Sequence, residues 1–152
     1  MIQIGVIGAG SCDRELAALA EEVGAEIARN GAILLCGGLG GVMEASAKGA
    51  KKESGTTVGL LPGDSRKNAN PYIDIAIVTE MGHARNVIIA RSADALVAVG
   101  GEYGTLSEIA HSLKMGKTVV TLNSRWEIEG TVRANDPKDA VKIALDSIHK
   151  KH

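Results

Sequence analysis

The chain has 152 residues, of which 45% are hydrophobic and 23% charged, and its formal net charge is -1 at pH 7. This size predicts one domain over residues 1–152, and the near-neutral charge with two Tyr, one Trp and no Phe argues against nucleic-acid binding. The start MIQIGVIG has no charged leader or membrane-length apolar run, and two cysteines lack metal-ligand spacing, so we expect a cytoplasmic protein without a metal site or membrane attachment.

Short apolar runs alternate with amphipathic stretches, which is typical of βαβ units. The sequence predicts strands over Ile2–Ile7, Ala32–Cys36, Thr57–Leu61, Ile73–Val78, Ala95–Val99, Thr118–Leu122 and, as a short edge strand, Thr131–Ala134. Helices are predicted from the Asp13 cap to about Asn30, over Val42–Glu53, His83–Ser92 and Tyr103–Met115, and from Pro137 after a cap at Asn135 or Asp136. The fold class predicted is therefore α/β, a Rossmann-like three-layer α/β/α domain with a mostly parallel sheet of six or seven strands.

The polar stretch Asp64–Pro71 interrupts this rhythm and predicts a surface loop, which is a candidate lid.

Glycines and small polar residues follow three of the predicted strands. The candidate ligand-binding residues in these loops are Gly8, Gly10, Ser11, Gly37, Gly38, Gly40, Gly100, Gly101, Gly104 and Thr105. In a parallel sheet such loops meet at the carboxyl ends of the strands, where helix N-termini offer free N–H groups to anions. One cluster alone is most simply a tight turn, whereas three at equivalent strand ends predict a common floor for a phosphorylated ligand.

Two well-known phosphate motifs do not match the first loops. A dinucleotide fingerprint requires a glycine where Asp13 stands and an acidic residue after the second strand, where Cys36 is followed by glycines. The lysine of a P-loop is also missing. We therefore expect neither NAD binding nor ATP hydrolysis by these routes.

Two charged side chains come to the same edge of the predicted sheet. Arg85 lies at the start of a helix that follows a strand, and Glu108 lies one turn after the Gly104–Thr105 helix start. We expect them to act together as catalytic candidates or ligand contacts, with their strands near the centre of the sheet. The alternatives are a surface salt bridge for Arg85, and a capping box in which Thr105 is the cap and Glu108 its partner.

The segments MGHARN and SADALVAVGGEYGTLSE, with CGGLGGVM before them, resemble the motifs of the LOG family in the SLOG superfamily. Arg85 matches the family arginine, Gly101, Gly104 and Thr105 match its glycine loop, and Glu108 matches its glutamate. Asn86, Gly100 and Glu102 stand where the family has lysine, proline and glycine. The resemblance covers almost the whole chain and is strongest to the branch that contains molybdenum-cofactor carrier proteins.

This resemblance implies two alternative functions. One is binding of a phosphorylated nucleotide-like or molybdopterin-type ligand, with the molybdenum cofactor or a nucleotide carried as cargo. The other is hydrolysis of the N-glycosidic bond of nucleoside 5′-monophosphates, in which Arg85 orients the phosphate and Glu108 stabilises the transition state or activates water. A pyridoxal-phosphate-dependent lysine decarboxylase, a name also used for this family, is not expected. The resemblance and the apolar run Val87–Ala90 predict a homodimer or a higher homo-oligomer.

Overall fold

The computed structural model describes residues 1–151. Its strands are β1 Gln3–Gly8, β2 Ile33–Cys36, β3 Thr57–Leu61, β4 Ile75–Val78, β5 Ala95–Val99, β6 Val119–Leu122 and β7 Val132–Arg133. Its α-helices are α1 Arg14–Arg29, α2 Val42–Lys52, α3 Arg85–Ser92, α4 Tyr103–Lys114 and α5 Pro137–Lys151. Single turns of 3₁₀-helix cover Arg66–Asn68 and Gly82–Ala84. The predicted elements are all present, and most of their ends lie within two residues of the prediction.

The strands form one seven-stranded sheet in the order β4-β3-β2-β1-β5-β6-β7. Every pair is parallel, and β1 pairs on one side with β2 and on the other with β5. The predicted Rossmann-like, three-layer α/β/α fold is confirmed. The direction of winding reverses between β1 and β5, and in sheets of this kind such a switch point opens a crevice at the carboxyl ends of the strands.

Side chains alternate between two cores, one on each face of the sheet. Ile4 and Val6 of β1 pack with α1, α2 and α5, whereas Ile7 packs with Ile89 of α3 and Ile109 of α4. Both faces are therefore apolar, as expected for a parallel sheet that is covered on both sides. In the described part of the chain, no helix is both long and apolar enough to cross a membrane.

Helices α1 and α2 contact each other through small residues. A side chain at Gly24 would overlap the Ser46 carbonyl, and one at Gly49 would overlap the Glu21 carbonyl. Because each helix begins at a glycine-rich loop, this close contact fixes the β1 and β2 loops side by side.

The expectation that the strand leading to Arg85 lies near the sheet centre is wrong. That strand is β4, and it forms one edge of the sheet. Arg85 nevertheless reaches the centre because α3 crosses back from β4 towards β5 and contacts β3, β1 and α4 on the way. The prediction for the strand ending at Val99 holds, since β5 lies beside β1.

Candidate functional site

A crevice of about 420 Å³ opens at the switch point between β1 and β5. This volume lies within the usual range for small-molecule sites. The residues around it come from the ends of β1 and β2, from the segment after β5 and from the starts of α2, α3 and α4: Val6, Ile7, Gly8, Ala9, Gly10, Ser11, Gly37, Met43, His83, Arg85, Asn86, Glu102, Gly104, Thr105 and Glu108.

The structure brings eight of the twelve candidate residues to this crevice: Gly8, Gly10, Ser11, Gly37, Arg85, Gly104, Thr105 and Glu108. The other four, Gly38, Gly40, Gly100 and Gly101, do not line it. Gly38 and Gly100 have φ angles of +78° and +61°, which side chains rarely adopt, and each lies against a leucine. Glycine at positions 38 and 100 is explained by backbone conformation and packing rather than by contact with a ligand.

Gly10 and Gly104 stand apart from the other glycines of the crevice. A Cβ atom at either position would meet no atom within 4 Å, and neither residue has a positive φ angle. By contrast, a side chain at Gly8 would collide with Val42. Neither packing nor conformation therefore requires glycine at 10 or 104. Their missing side chains leave open space that a ligand can approach closely.

The helices around the crevice differ in how their N-termini are capped. Helix α1 is capped by the Asp13 carboxylate, which accepts a hydrogen bond of 2.8 Å from the Leu16 amide. The caps of α2 and α4, Gly41 and Glu102, make no side-chain hydrogen bond of this kind. Met43 of α2 and Gly104 of α4 line the crevice, so the positive dipole ends of both helices favour an anion there, although the first amide of α2, Val42, is already bonded to the Ala9 carbonyl.

Thr105 is not a cap, and the capping-box alternative is wrong. Helix α4 begins at Tyr103 after the cap residue Glu102, and Thr105 lies within its first turn. The Thr105 side chain is only 2% exposed and contacts the crevice. A threonine hydroxyl can both donate and accept a hydrogen bond, so Thr105 adds hydrogen-bonding capacity to the lining of the crevice.

Arg85 brings a buried positive charge to the crevice. The residue is 8% exposed, and its Nε atom is buried without a hydrogen-bond partner among residues 1–151. A side chain at Gly37 would collide with its guanidinium, so the glycine makes room for it. Burial lowers the pKa of Arg85, but a guanidinium stays protonated at neutral pH. A surface salt bridge, the alternative interpretation, is therefore wrong.

Glu108 faces the same crevice from α4. Burial raises its pKa from 4.5 to about 7, although the positive charge of Arg85 acts in the opposite direction. Among residues 1–151 no salt bridge joins the two side chains, although both line the crevice. Near pH 7 Glu108 exists in both forms, and it can accept a proton or donate one to a ligand.

Glu102 is held at the rim of the crevice by an ion pair. Its carboxylate lies 3.1 Å from the Arg125 guanidinium, which in turn lies 4.8 Å from the centre of the Trp126 ring. Arg125 follows β6, on the side of β5 away from the crevice. The pair therefore compensates a negative charge that would otherwise oppose an anion beside Thr105.

Ala9 and Met43 line the crevice but were not predicted. Ala9 accepts a hydrogen bond of 3.0 Å from the Val42 amide, which joins the β1 loop to the start of α2. The position of Ala9 between Gly8 and Gly10 was the available signal for its role. Met43 is the last residue of the segment CGGLGGVM, and the resemblance of that segment to the LOG motif was the available signal for it.

A family model described as the SLOG cluster4 family matches residues 1–151. The chain belongs to this family. The predicted membership of the LOG-like SLOG superfamily is confirmed by this match.

Known proteins resemble the chain over nearly its whole length. An uncharacterized protein of Archaeoglobus fulgidus is 53% identical over 147 residues, which are 97% of each chain. The molybdenum cofactor binding protein of the phototrophic bacterium Rippkaea orientalis is similar in structure, with a TM-score of 0.91, 35% identity and 97% of each chain covered. The molybdenum cofactor carrier protein of Chlamydomonas reinhardtii has a TM-score of 0.89, 38% identity and 98% of each chain covered. These similarities support the predicted relation to the cofactor-carrier branch.

The open space at Gly104 predicts opposite effects on stability and binding. We expect Gly104→Ala to leave the free energy of unfolding unchanged or to raise it by about 0.5–1 kcal/mol, because alanine favours a helix more than glycine does. The added methyl group should weaken the binding of AMP at least fivefold. Urea denaturation and calorimetric titration measure the two effects. Ser107→Ala, at an exposed position of the same helix, is the control and should leave binding unchanged; unchanged binding in Gly104→Ala would contradict the prediction.

The raised pKa of Glu108 predicts that removal of its carboxyl group stabilises the protein, and that the size of this effect depends on pH. When the pKa of a carboxyl group is higher in the folded than in the unfolded protein, the protein loses stability as pH rises through the interval between the two pKa values. For Glu108 this interval runs from about pH 4.5 to about pH 7. We therefore expect Glu108→Gln to increase the free energy of unfolding by about 1–3 kcal/mol at pH 8 and by much less at pH 5. Urea denaturation at both pH values tests this. The exposed substitution Glu129→Gln is the control, and an equal effect of Glu108→Gln at both pH values would refute the prediction.

Proposed function

We propose that this protein, acting as a single domain over residues 1–152, binds a phosphorylated nucleotide-like or molybdopterin-type ligand in the crevice and serves as a cofactor carrier. The observation that carries the proposal is the buried Arg85 guanidinium, whose Nε has no partner among the described residues. A buried N–H donor without an acceptor is costly, and its retention beside a crevice is explained if a ligand supplies the acceptor.

The surroundings of Arg85 favour phosphate as this negative group. A guanidinium forms paired hydrogen bonds with phosphate oxygens, and the uncapped starts of α2 and α4 add amide donors. Thr105 adds a hydroxyl, and Gly10 and Gly104 leave room for the ligand to approach the backbone. Arg125 compensates the carboxylate of Glu102 at the rim.

The role of carrier rests on the similarity to molybdenum cofactor binding and carrier proteins. Molybdopterin contains a phosphate group, and this is the group that the crevice would recognise in it as cargo. Arg85, Thr105 and the glycine loops would hold its phosphate. Release of the intact cofactor requires no chemistry from the protein.

Hydrolysis of nucleoside 5′-monophosphates is the second candidate function, and Glu108 is the observation that favours it. A partly buried carboxyl group with a pKa of about 7 is suited to proton transfer near neutral pH. In this alternative Arg85 orients the phosphate, and Glu108 stabilises a positively charged sugar in the transition state or activates water. We favour the carrier because Asn86 and Glu102, which line the crevice, depart from the LOG motif.

Ligand binding and base release distinguish the two functions. For a carrier, we expect AMP to bind without release of adenine, and Arg85→Ala and Thr105→Ala to weaken binding about tenfold or more, since hydrogen bonds to charged groups are lost. Calorimetry measures binding, and chromatography measures adenine. Arg91→Ala, at the exposed far end of α3, is the control. Rapid adenine release that is lost in Glu108→Gln would instead establish the hydrolase.

We also propose that the protein is a homodimer that pairs through β4 and α3. Ile75 and Ile77 of the edge strand are 51% and 46% exposed. Their register partners Val58 and Leu60 belong to the core on the α3 side, so both isoleucines face that side. Ile88 of α3 is also only partly buried. This exposed apolar surface at an open sheet edge suits a second copy of the chain.

A charge at the centre of this surface should separate the subunits. We expect wild-type protein to be a dimer at micromolar concentration and Ile77→Arg to be a folded monomer, because an unpaired arginine would be buried in the interface. Light scattering measures the mass, and circular dichroism checks folding. Val132→Arg alters a residue of similar exposure, 42%, on the opposite edge strand and should remain dimeric. A monomeric wild type would refute the proposal.

A further inference from the structure

The connection between β3 and β4 is hydrogen-bonded to two segments that lie next to crevice residues, the β2 glycine loop and the turn before Arg85. We propose that Asn70, in this connection, is a positioning residue that holds the β2 glycine loop and, through it, the Arg85 guanidinium in the geometry required for binding. The consequence for binding rests on the proposed function, whereas the positioning itself can be measured without a ligand. The sequence predicts a surface loop and candidate lid over Asp64–Pro71, and the structure shows that Asn70, near the end of this segment, is hydrogen-bonded to the β2 glycine loop.

Asn70 uses both its main chain and its side chain to hold the loop. Its main-chain amide donates a hydrogen bond of 2.9 Å to the Gly38 carbonyl. Its side-chain Nδ2 donates one of 2.8 Å to the Leu39 carbonyl, and its Oδ1 accepts one of 3.0 Å from the Tyr72 amide. The residue is 8% exposed, so these bonds are shielded from competing water. Asn70 thus serves as a partner for two successive carbonyls of a loop that has no regular structure of its own.

The opposite end of the same connection contacts the turn that leads to Arg85. The Pro62 carbonyl accepts a hydrogen bond of 3.0 Å from the Gly82 amide, and the Gly63 carbonyl accepts one of 3.0 Å from the Glu80 amide. The connection therefore supports the glycine loop at one end and the start of α3 at the other. These two supported parts meet at the crevice, where the Arg85 guanidinium lies against Gly37.

This arrangement links the backbone position of Gly38 to the position of Arg85. Gly37 is the neighbour of Gly38 and leaves no free space on the side of the guanidinium, because a Cβ atom there would overlap it. A displacement of the loop would therefore open a gap beside Arg85 and remove the contact that fixes its plane. Since phosphate recognition by arginine depends on that plane, the loss of Asn70 should weaken binding although Asn70 is not among the residues that line the crevice.

Cys36 provides a reporter for the loop that requires no ligand. Its Sγ accepts a hydrogen bond of 3.4 Å from the Gly38 amide, and the side chain is fully buried. Burial raises the pKa of the Cys36 thiol to about 11, so a thiol reagent reacts with it only after local or global opening exposes its Sγ atom. Cys12, which is partly exposed, is an internal reference in the same molecule.

The experiment compares Asn70→Ala with Asn68→Ala, an exposed asparagine in the same connection. Both proteins are labelled with iodoacetamide at pH 8, and mass spectrometry follows Cys36 and Cys12 separately. We expect Asn70→Ala to label Cys36 about ten times faster than wild type, beyond any change in the equilibrium constant for unfolding, because a buried hydrogen-bond donor is lost. Cys12 labelling should stay constant, and Asn68→Ala should resemble wild type.

A second variant separates the side-chain bonds. Asn70→Asp keeps the acceptor for Tyr72 but loses the donor to Leu39, so it should also accelerate Cys36 labelling and should weaken AMP binding at least fivefold. Equal Cys36 labelling in Asn70→Ala and Asn68→Ala, or an acceleration that only follows global unfolding, would overturn the positioning role. Failure of the wild type to bind AMP or molybdopterin would instead refute the proposed function and leave the labelling result intact.

Discussion

The contact between the Arg85 guanidinium and the bare backbone of Gly37 is the interaction on which the crevice depends. It places a positive charge inside the protein, at the point where the winding of the sheet reverses. The charge has no salt-bridge partner of its own among the described residues, and the nearby carboxyl group of Glu108 is itself disfavoured as an anion by burial. The fold therefore keeps two poorly compensated groups close together, which is common at functional sites and costs stability.

The surrounding helices and loops bring this charge to the crevice, where a ligand can reach it. The close contact between α1 and α2 fixes the β1 and β2 loops, and α3 carries Arg85 from the edge of the sheet to its centre. The amide groups at the uncapped starts of α2 and α4 add partial positive charge, which has the same sign as the charge of Arg85. The proposed phosphate site would therefore consist mostly of backbone amides, with one arginine and without a lysine of the P-loop type.

The local sequence predicted the strands and helices well, but it did not predict which strands lie next to each other in the sheet. Thr57–Leu61 and Ala95–Val99 were predicted to the residue, because each is a short apolar run that ends at Pro62-Gly63 or Gly100-Gly101. The edge position of β4 was missed, since strand order is decided by contacts far apart in the chain. Likewise, the residue types of the site were predicted, but the division of the glycines into those that face open space, such as Gly104, and those with positive φ, such as Gly100, depends on three-dimensional geometry. The Glu102–Arg125 pair joins residues 23 positions apart and left no local signal.

The most direct test of this account is the side-chain Nε–H resonance of Arg85 in ¹⁵N-labelled protein, assigned by its loss in Arg85→Lys. If the Arg85 Nε–H group is buried and serves a phosphate ligand, its signal is protected from solvent exchange in the free protein. The signal then shifts to a saturable end point when AMP or molybdopterin is added. A signal that exchanges rapidly in the free protein, or one that does not move when either ligand is added to saturation, would contradict the claim that Arg85 is a buried charge reserved for a phosphate.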